Sequence, residues 1–249
     1  MSTPGIDDRR VATWLEQHTG LAPPLDFVRV GEGQSNLTFR VDDSAGRSLV
    51  LRRPPLGEIL ASAHDVAREF RVLTGLSAAG LPVPRPLAIC EDGSVTGAPF
   101  YAMEHVAGDV LAKVETAERL RPEARAAVGV GLARTLAEFH AHDVDELGLG
   151  DFKRPESLVS RQLRRWHRQW EGSKTRELPL IDDLAARFAG QMPEEHEVVL
   201  VHGDYHLGNA LVDVDGRILA ILDWELCSTG DPLADVGLMV AYWGEFGTV

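Results

Sequence analysis

The sequence predicts an α+β chain in two parts, a small antiparallel sheet followed by a mainly helical half. Three observations predict it. Short strands at Phe27 to Val30, Phe39 to Asp42 and Ser48 to Arg53 follow one another across polar or glycine-bearing turns. Helical periodicity dominates from Pro122 to Met192, with apolar residues three and four apart. Between 198 and 223, an apolar run and a hairpin carry two aspartates and an asparagine to strand ends. At 249 residues the chain suits one large domain or two small lobes, 1–105 and 106–249, with ample core.

Val11, Trp14, Leu15 and His18 share one helix face, and Gly20 stops that helix. The strand from Phe27 leads into Gly31-Glu-Gly-Gln-Ser-Asn-Leu-Thr38. A glycine turn between strands can lay backbone N–H groups over phosphates, although an ordinary hairpin has the same composition. No Gly-Lys-Ser/Thr follows, so it is not a Walker loop. In Leu49 to Arg53 the two-residue period turns Arg52 and Arg53 to opposite faces, and either is a candidate phosphate-binding cation. Residues 62–80 read as a helix with Val66, Phe70, Leu73 and Leu76 on one face and Gly80 as its stop; Glu69 lies within it. Pro82 to Pro86 forces an extended connection. Strands at Leu87 to Cys90 and Pro99 to Val106 follow, separated by Glu91-Asp-Gly-Ser94.

Pro122 opens a long alanine-rich helix whose expected apolar face is Val130, Ala133, Leu136, Ala137 and His140. Residues 143–156 read as a loop. On the next helix, Leu158 to Glu171, Leu163, Trp166 and Trp170 fall on one face. Arg161, Arg164, Arg165 and Arg168 form a stripe that is either a solvated face or a receiver of anionic groups. Ile181 to Met192 is a further helix. Asp235 is expected to open a final one, Val236 to Phe246. Its apolar residues Val236, Met239, Val240, Trp243 and Phe246 are too many for a free surface helix, so the expectation is an exposed patch or a homodimer through it.

Composition excludes several classes. The net charge of −13 argues against nonspecific nucleic-acid binding. Residues 190–235 hold ten acidic residues and one basic, whereas 153–176 hold eight basic and two acidic. The chain shows neither a secretory signal nor eighteen consecutive apolar residues, so no membrane association is expected. Cys90 and Cys227 are the only cysteines, which suits a reduced cytoplasm. No His/Cys spacing resembles a zinc site.

The chemistry gathers near the C-terminus. Val198 to Val201 reads as a buried strand that delivers His202-Gly-Asp204 into a loop, and Asn209 follows five residues after that Asp. Leu211 to Val214 and Arg217 to Leu222 flank Asp215-Gly216, a pair suited to a type I′ turn, and Asp223 ends the second strand. Phosphoryl transfer needs this set: one Asp to accept a hydroxyl proton, an Asn and a second Asp to hold magnesium.

With Gly-Asp-Pro-Leu-Ala-Asp at 230–235 and the G-x-G-Q-S-N wording at 31–36, the chain resembles the aminoglycoside phosphotransferase and choline kinase family. The resemblance covers nearly all of the chain. It implies a bilobal protein-kinase-like fold using ATP and Mg. Asp204 would be the base, and Asn209 and Asp223 the metal ligands. Gly31, Gly33, Ser35 and Asn36 would form the nucleotide loop. Arg52 would replace the strand lysine of V-A-I-K and pair with Glu69. Tyr101 to Gly108 resembles the hinge, with Met103 behind adenine and the Glu104 carbonyl and Val106 N–H bonding it. Gly203 stands where protein kinases carry the Arg of H-R-D, and Asp223-Trp-Glu stands for D-F-G. Family members continue through further helices, so C-terminal helices are expected to be missing.

The loop at 226–233 is too short for a protein-kinase activation segment, which favours a small-molecule hydroxyl substrate. Arg161-Gln-Leu-Arg-Arg-Trp166 resembles the branch fused to, or encoded near, acyl-CoA dehydrogenases. A hydroxyacyl-CoA acceptor suits that branch and the arginine stripe, and is favoured. An aminoglycoside or other cationic alcohol suits the acidic 190–235 region. A nucleotide-binding, inactive kinase-like module is the third reading.

Overall fold

The structure, a computed structural model, describes residues 6, 8–31, 36–55 and 65–243. In chain order its elements are α1 (Asp8–Thr19), β1 (Asp26–Val30), β2 (Leu37–Asp42), β3 (Ser48–Arg53), α2 (Val66–Ala78) and β4 (Pro86–Cys90). There follow α3 (Gly93–Thr96), β5 (Phe100–Glu104), β6 (Asp109–Val110), α4 (Val114–Glu118), α5 (Pro122–His140), α6 (Leu158–Ser173) and α7 (Pro179–Gly190). The last are β7 (Val199–Val201), β8 (Ala210–Val212), β9 (Ile218–Ile221), β10 (Ser228–Gly230) and α8 (Leu233–Trp243). The α+β class is the one expected. Two compact units divide the chain: residues 1–135 with 207–225, and residues 136–206 with 226–249.

The first unit is built on an antiparallel five-stranded sheet in the order β1-β2-β3-β5-β4. Strand alternation gives it two apolar faces. Phe39, Val41, Leu49, Leu51, Phe100 and Ala102 pack with Val11 and Leu15 of α1. The helix α2, which contacts β4 and β5, buries Val66, Val72, Leu73 and Leu76. Asp65 caps it by accepting the Arg68 N–H at 2.9 Å, and Gly80, at φ +77°, ends it. A second, three-stranded sheet has the order β6-β8-β9. In the second unit β7 pairs antiparallel with β10, and Leu158, Val199 and Val201 form a small core.

Two hairpins of the first unit turn by the same device. In Asp43-Ser-Ala-Gly-Arg47 the Gly46 N–H donates to the Asp43 carbonyl at 3.1 Å, and the Asp43 carboxylate accepts from the Ala45 and Arg47 amides. In Asp213-Val-Asp-Gly-Arg217 the Gly216 N–H donates to the Asp213 carbonyl at 3.0 Å, and the Asp213 carboxylate accepts from the Asp215 and Arg217 amides. Gly46 and Gly216 have φ +79° and +80°. This corrects the expected type I′ turn. Only Gly216, not Asp215, is left-handed, so the connection is a type I turn closed by a glycine bulge. The acceptor carboxylate two residues upstream makes that longer loop favourable.

Other expectations need adjustment. The helix α5 buries Ala124, Val128, Leu132, Thr135, Leu136 and Phe139, while Val130 is 62% exposed and Ala133 and Ala137 are exposed. Alanine lies on every side of this helix, so spacing did not identify the face; the bulk of Leu132, Leu136 and Phe139 does. The connection after Glu91 contains α3, capped by Asp92, and β5 ends at Glu104, leaving Val106 beyond the strand. The helix α7 starts two residues earlier than expected, with Pro179 in its first turn. The helix α8 starts at Leu233 because Asp231 accepts the Leu233 N–H at 2.9 Å; Asp235 is inside the helix, not at its opening. No helix among the described residues is long and apolar enough to cross a membrane.

Candidate active site

In the first unit, strand alternation turns Arg52 away from the α1 face of the sheet and toward Glu69 of α2. The Arg52 Nε lies 3.0 Å from Glu69 Oε2, with both side chains nearly closed to solvent. Its Nη2 donates to Asp223 Oδ1 and lies 3.4 Å from Glu225 Oε2. Glu225 Oε2 also accepts from the Asn36 side chain at 2.8 Å. One guanidinium therefore joins three carboxylates, and one of those ties in the end of the glycine-rich stretch.

Burial opposes charge on Arg52, but Glu69, Tyr101, Asp223 and Glu225 outweigh it and raise its pKa. Burial lifts the Glu69 carboxyl above the usual carboxylate range, while Arg52 pulls it back. The fully buried Tyr101 phenol is raised by burial first and by Glu69 second. Arg53, 3% exposed, donates to the carbonyls of Pro54 and Thr96, each at 3.1 Å, and meets none of these acids in those bonds.

The hairpin of β8 and β9 brings Asn209 and Asp223 together. Ala210 pairs with Ile221, and the Leu222 N–H donates to the Asn209 carbonyl at 2.8 Å. Asp223 has φ +64°, the one left-handed non-glycine among the described residues. Asp tolerates the left-handed region better than most side chains, and this turn uses it. Trp224, 1% exposed, anchors the turn by donating its indole N–H to Ile221 at 3.1 Å. A carboxamide and a carboxylate are hard oxygen donors, so this pair fits magnesium. The buried Asn36 Oδ1 has no hydrogen-bond partner among the described residues, an unfilled acceptor beside Glu225.

Of the other expected nucleotide contacts, Gly31 has φ +80°, while Gly33 and Ser35 lie outside the described residues. Met103 is buried, and the Glu104 N–H donates to the Arg85 carbonyl at 2.8 Å.

Asp204 belongs to the second unit. Its loop is held from behind by Asp235, which is fully buried. Asp235 Oδ2 accepts the His202 N–H at 2.8 Å, and Oδ1 accepts the Gly203 N–H at 2.9 Å. His140 Nε2 lies 3.1 Å from Asp235 Oδ2, so this histidine is a structural partner. The Asp204 N–H donates to His202 Nδ1 at 3.2 Å, and His206 Nε2 lies 3.4 Å from the Asp204 carboxylate. Gly203 has φ +83°, and a Cβ there would lie 2.7 Å from the Leu226 carbonyl oxygen.

The sequence profile of the phosphotransferase enzyme family matches residues 26–248. The chain belongs to this family. Chicken acyl-CoA dehydrogenase family member 11 is 37% identical over 224 residues, covering 89% of this chain and 28% of that protein. Mouse acyl-CoA dehydrogenase family member 10 is 36% identical over 214 residues, covering 86% of this chain and 20% of that protein. The chain thus spans less than a third of the length of these curated relatives. A crystal structure from Ralstonia eutropha, assigned as an aminoglycoside phosphotransferase, superposes with a TM-score of 0.78 at 34% identity, over 95% of this chain and 70% of that one. The kinase-like phosphotransferase fold follows.

For this member of the phosphotransferase family, two acids escaped the sequence reading. Glu225 lies two residues after Asp223, and that i+2 spacing was the available signal. Asp235 sat inside the quoted 230–235 stretch but was assigned to a helix opening. Of the arginine stripe, Arg164, Arg165 and Arg168 are exposed, as the solvated-face reading expects. Arg161 donates to the carbonyls of Glu156 and Thr229 and to the Ser228 hydroxyl, and Arg164 pairs with Glu156. Those two cations brace α6 within its own unit.

Proposed function

We propose that the chain is an ATP- and magnesium-dependent kinase that phosphorylates a small-molecule hydroxyl. The observation that carries this reading is the Arg52 cluster beside the Asn209–Asp223 hairpin. Asn209 and Asp223 would hold the metal. Bound magnesium supplies charge neutralisation at the phosphates. Arg52, kept charged by its acids, is the cation for the α- and β-phosphates, and Glu69 fixes its direction. Gly31, Gly33, Ser35 and Asn36 would border the phosphates, while the Glu104 carbonyl and Val106 N–H would hold adenine. Asp204 accepts the hydroxyl proton, and Asp235 keeps the peptide units before it from rotating.

A hydroxyacyl-CoA is the favoured acceptor. Its support is the likeness to a portion of acyl-CoA dehydrogenase family members, since Arg161 and Arg164 already have internal partners. We further propose a cytoplasmic setting and self-association through α8, where Val240, Tyr242 and Trp243 are each more than half exposed. ATP consumption measured over hydroxyacyl-CoA compounds and cationic alcohols tests the acceptor. Turnover with a hydroxyacyl-CoA, lost in Asp204→Ala, is expected; turnover only with cationic alcohols moves the assignment to an antibiotic-type kinase. Light scattering should show dimers, and a strictly monomeric chain rejects the α8 contact.

A further inference from the structure

A second donor set lies in the second unit, on residues that phosphoryl transfer does not use. His167 and Glu171 stand one turn apart on α6, and Asp182 lies in the first turn of α7. One ligand atom from each converges with the others, all within 4.8 Å. We infer that His167, Glu171 and Asp182 form a binding site for a zinc-class divalent cation that joins α6 to α7.

An independent observation points to a ligand. His167 Nδ1 is closed to solvent and has no hydrogen-bond partner among the described residues, a condition that costs free energy unless something fills it. The packing gives such a cation a role. Leu158 is the one fully buried residue of α6 and α7 has none, so a bound cation would add a cross-link between two helices that are in contact. The charges permit it as well. Lys174 Nζ lies 3.1 Å from Glu171 Oε1 and 3.3 Å from Glu177 Oε2, so it keeps Glu177 when a cation takes Glu171.

The donor chemistry selects the ion. An imidazole with two carboxylates suits zinc and its late first-row neighbours better than magnesium, which prefers oxygen alone. Three protein donors leave a fourth position for water. The contiguous motifs of zinc sites are absent because the third donor comes from a neighbouring helix.

The test is titration of the chelator-stripped full chain with cobalt(II), then zinc(II), in excess magnesium chloride so that the Asn209–Asp223 pair is occupied. The expected result is one cobalt per chain with a four-coordinate visible band, displaced by zinc, and a higher melting temperature with zinc. His167→Ala and Asp182→Asn should each weaken binding at least about tenfold. His196→Ala, an exposed histidine outside the cluster, should not. If either variant fails to fold, Glu171→Gln, at a half-exposed position, gives the same reading. Absence of a one-to-one cobalt band, or affinity unchanged in the cluster variants, overturns the inference. Neither result bears on kinase activity.

Discussion

The acids around Arg52 and the loop carrying Asp204 are fixed by different forces. In the first unit, side-chain charges hold one another: one guanidinium faces Glu69, Asp223 and Glu225 in a space nearly closed to water. In the second, one buried carboxylate holds backbone amides: Asp235 takes two consecutive N–H groups and fixes the peptide units before Asp204. The first arrangement is a set of coupled side chains, with the Glu69 carboxyl lifted by its burial and Arg52 pulling it back. The second centres on a single carboxylate, which takes the backbone N–H groups of residues 202 and 203 while the His140 side chain lies 3.1 Å from it.

The largest effects should separate chemistry from binding. Asp204→Ala should lower kcat by about 10²–10⁴-fold while nucleotide affinity stays near wild type. Asp223→Ala should abolish turnover and remove the magnesium dependence of nucleotide binding. Equilibrium dialysis with and without magnesium, alongside steady-state rates, distinguishes the two; full turnover by Asp204→Ala would reject that residue as the base.

Next is the cluster itself. Arg52→Ala strands buried Glu69 and should cost about 3–5 kcal/mol in urea unfolding. Pairing it with Glu69→Gln should restore much of that stability without restoring ATP affinity. Arg53→Ala should affect ATP affinity far less, and the reverse ranking would transfer the phosphate role to Arg53.

A smaller effect is expected behind the catalytic loop. Asp235→Asn keeps one acceptor and loses the other, which should cost about 1–3 kcal/mol. It should lower kcat more than it raises KM for ATP, because a backbone hold matters to the positioning of Asp204. Equal effects on both would mean that Asp235 serves only the fold.

The smallest concerns the first hairpin. Burial works against ionisation of Asp43, but hydrogen bonds from the Arg47, Ala22 and Ala45 amides and the Arg47 side chain bring its pKa down from 3.8 to about 2. A lowered carboxyl contributes stability that is present above pH 3.8 and lost as pH falls through about 2. Asp43→Asn should therefore flatten the stability profile over that window, read by urea unfolding at a series of pH values. An unchanged slope would refute the assignment.

The charged half of the comparison was legible because its residues announce themselves by type and spacing. Two-residue alternation put Arg52 and Arg53 on opposite faces, the resemblance to V-A-I-K singled out Arg52, and β3 has the bounds expected from sequence. Asn209 and Asp223 followed from one hairpin. What stayed hidden depends on backbone. Asp235 looks like any acid in a first helical turn, and nothing in its neighbours says that it reaches residues 202 and 203. The turn at Asp213 to Gly216 was misread because a dipeptide was weighed without the carboxylate upstream. The α5 face was misread because alanine marks no side. The proximity of His167 and Asp182 is tertiary, and no spacing along the chain marks it.

Gly203 has a consequence for control. A Cβ at this position would lie 2.7 Å from the Leu226 carbonyl oxygen at a φ of +83°, so an arginine before Asp204 would strain the backbone here. In protein kinases, arginines that meet a phosphorylated activation segment make the on-state conditional. This loop offers no such receiver at 203, and its seating on Asp235 needs no added phosphate. The seat of this loop is thus set by one residue without a side chain and one buried carboxylate.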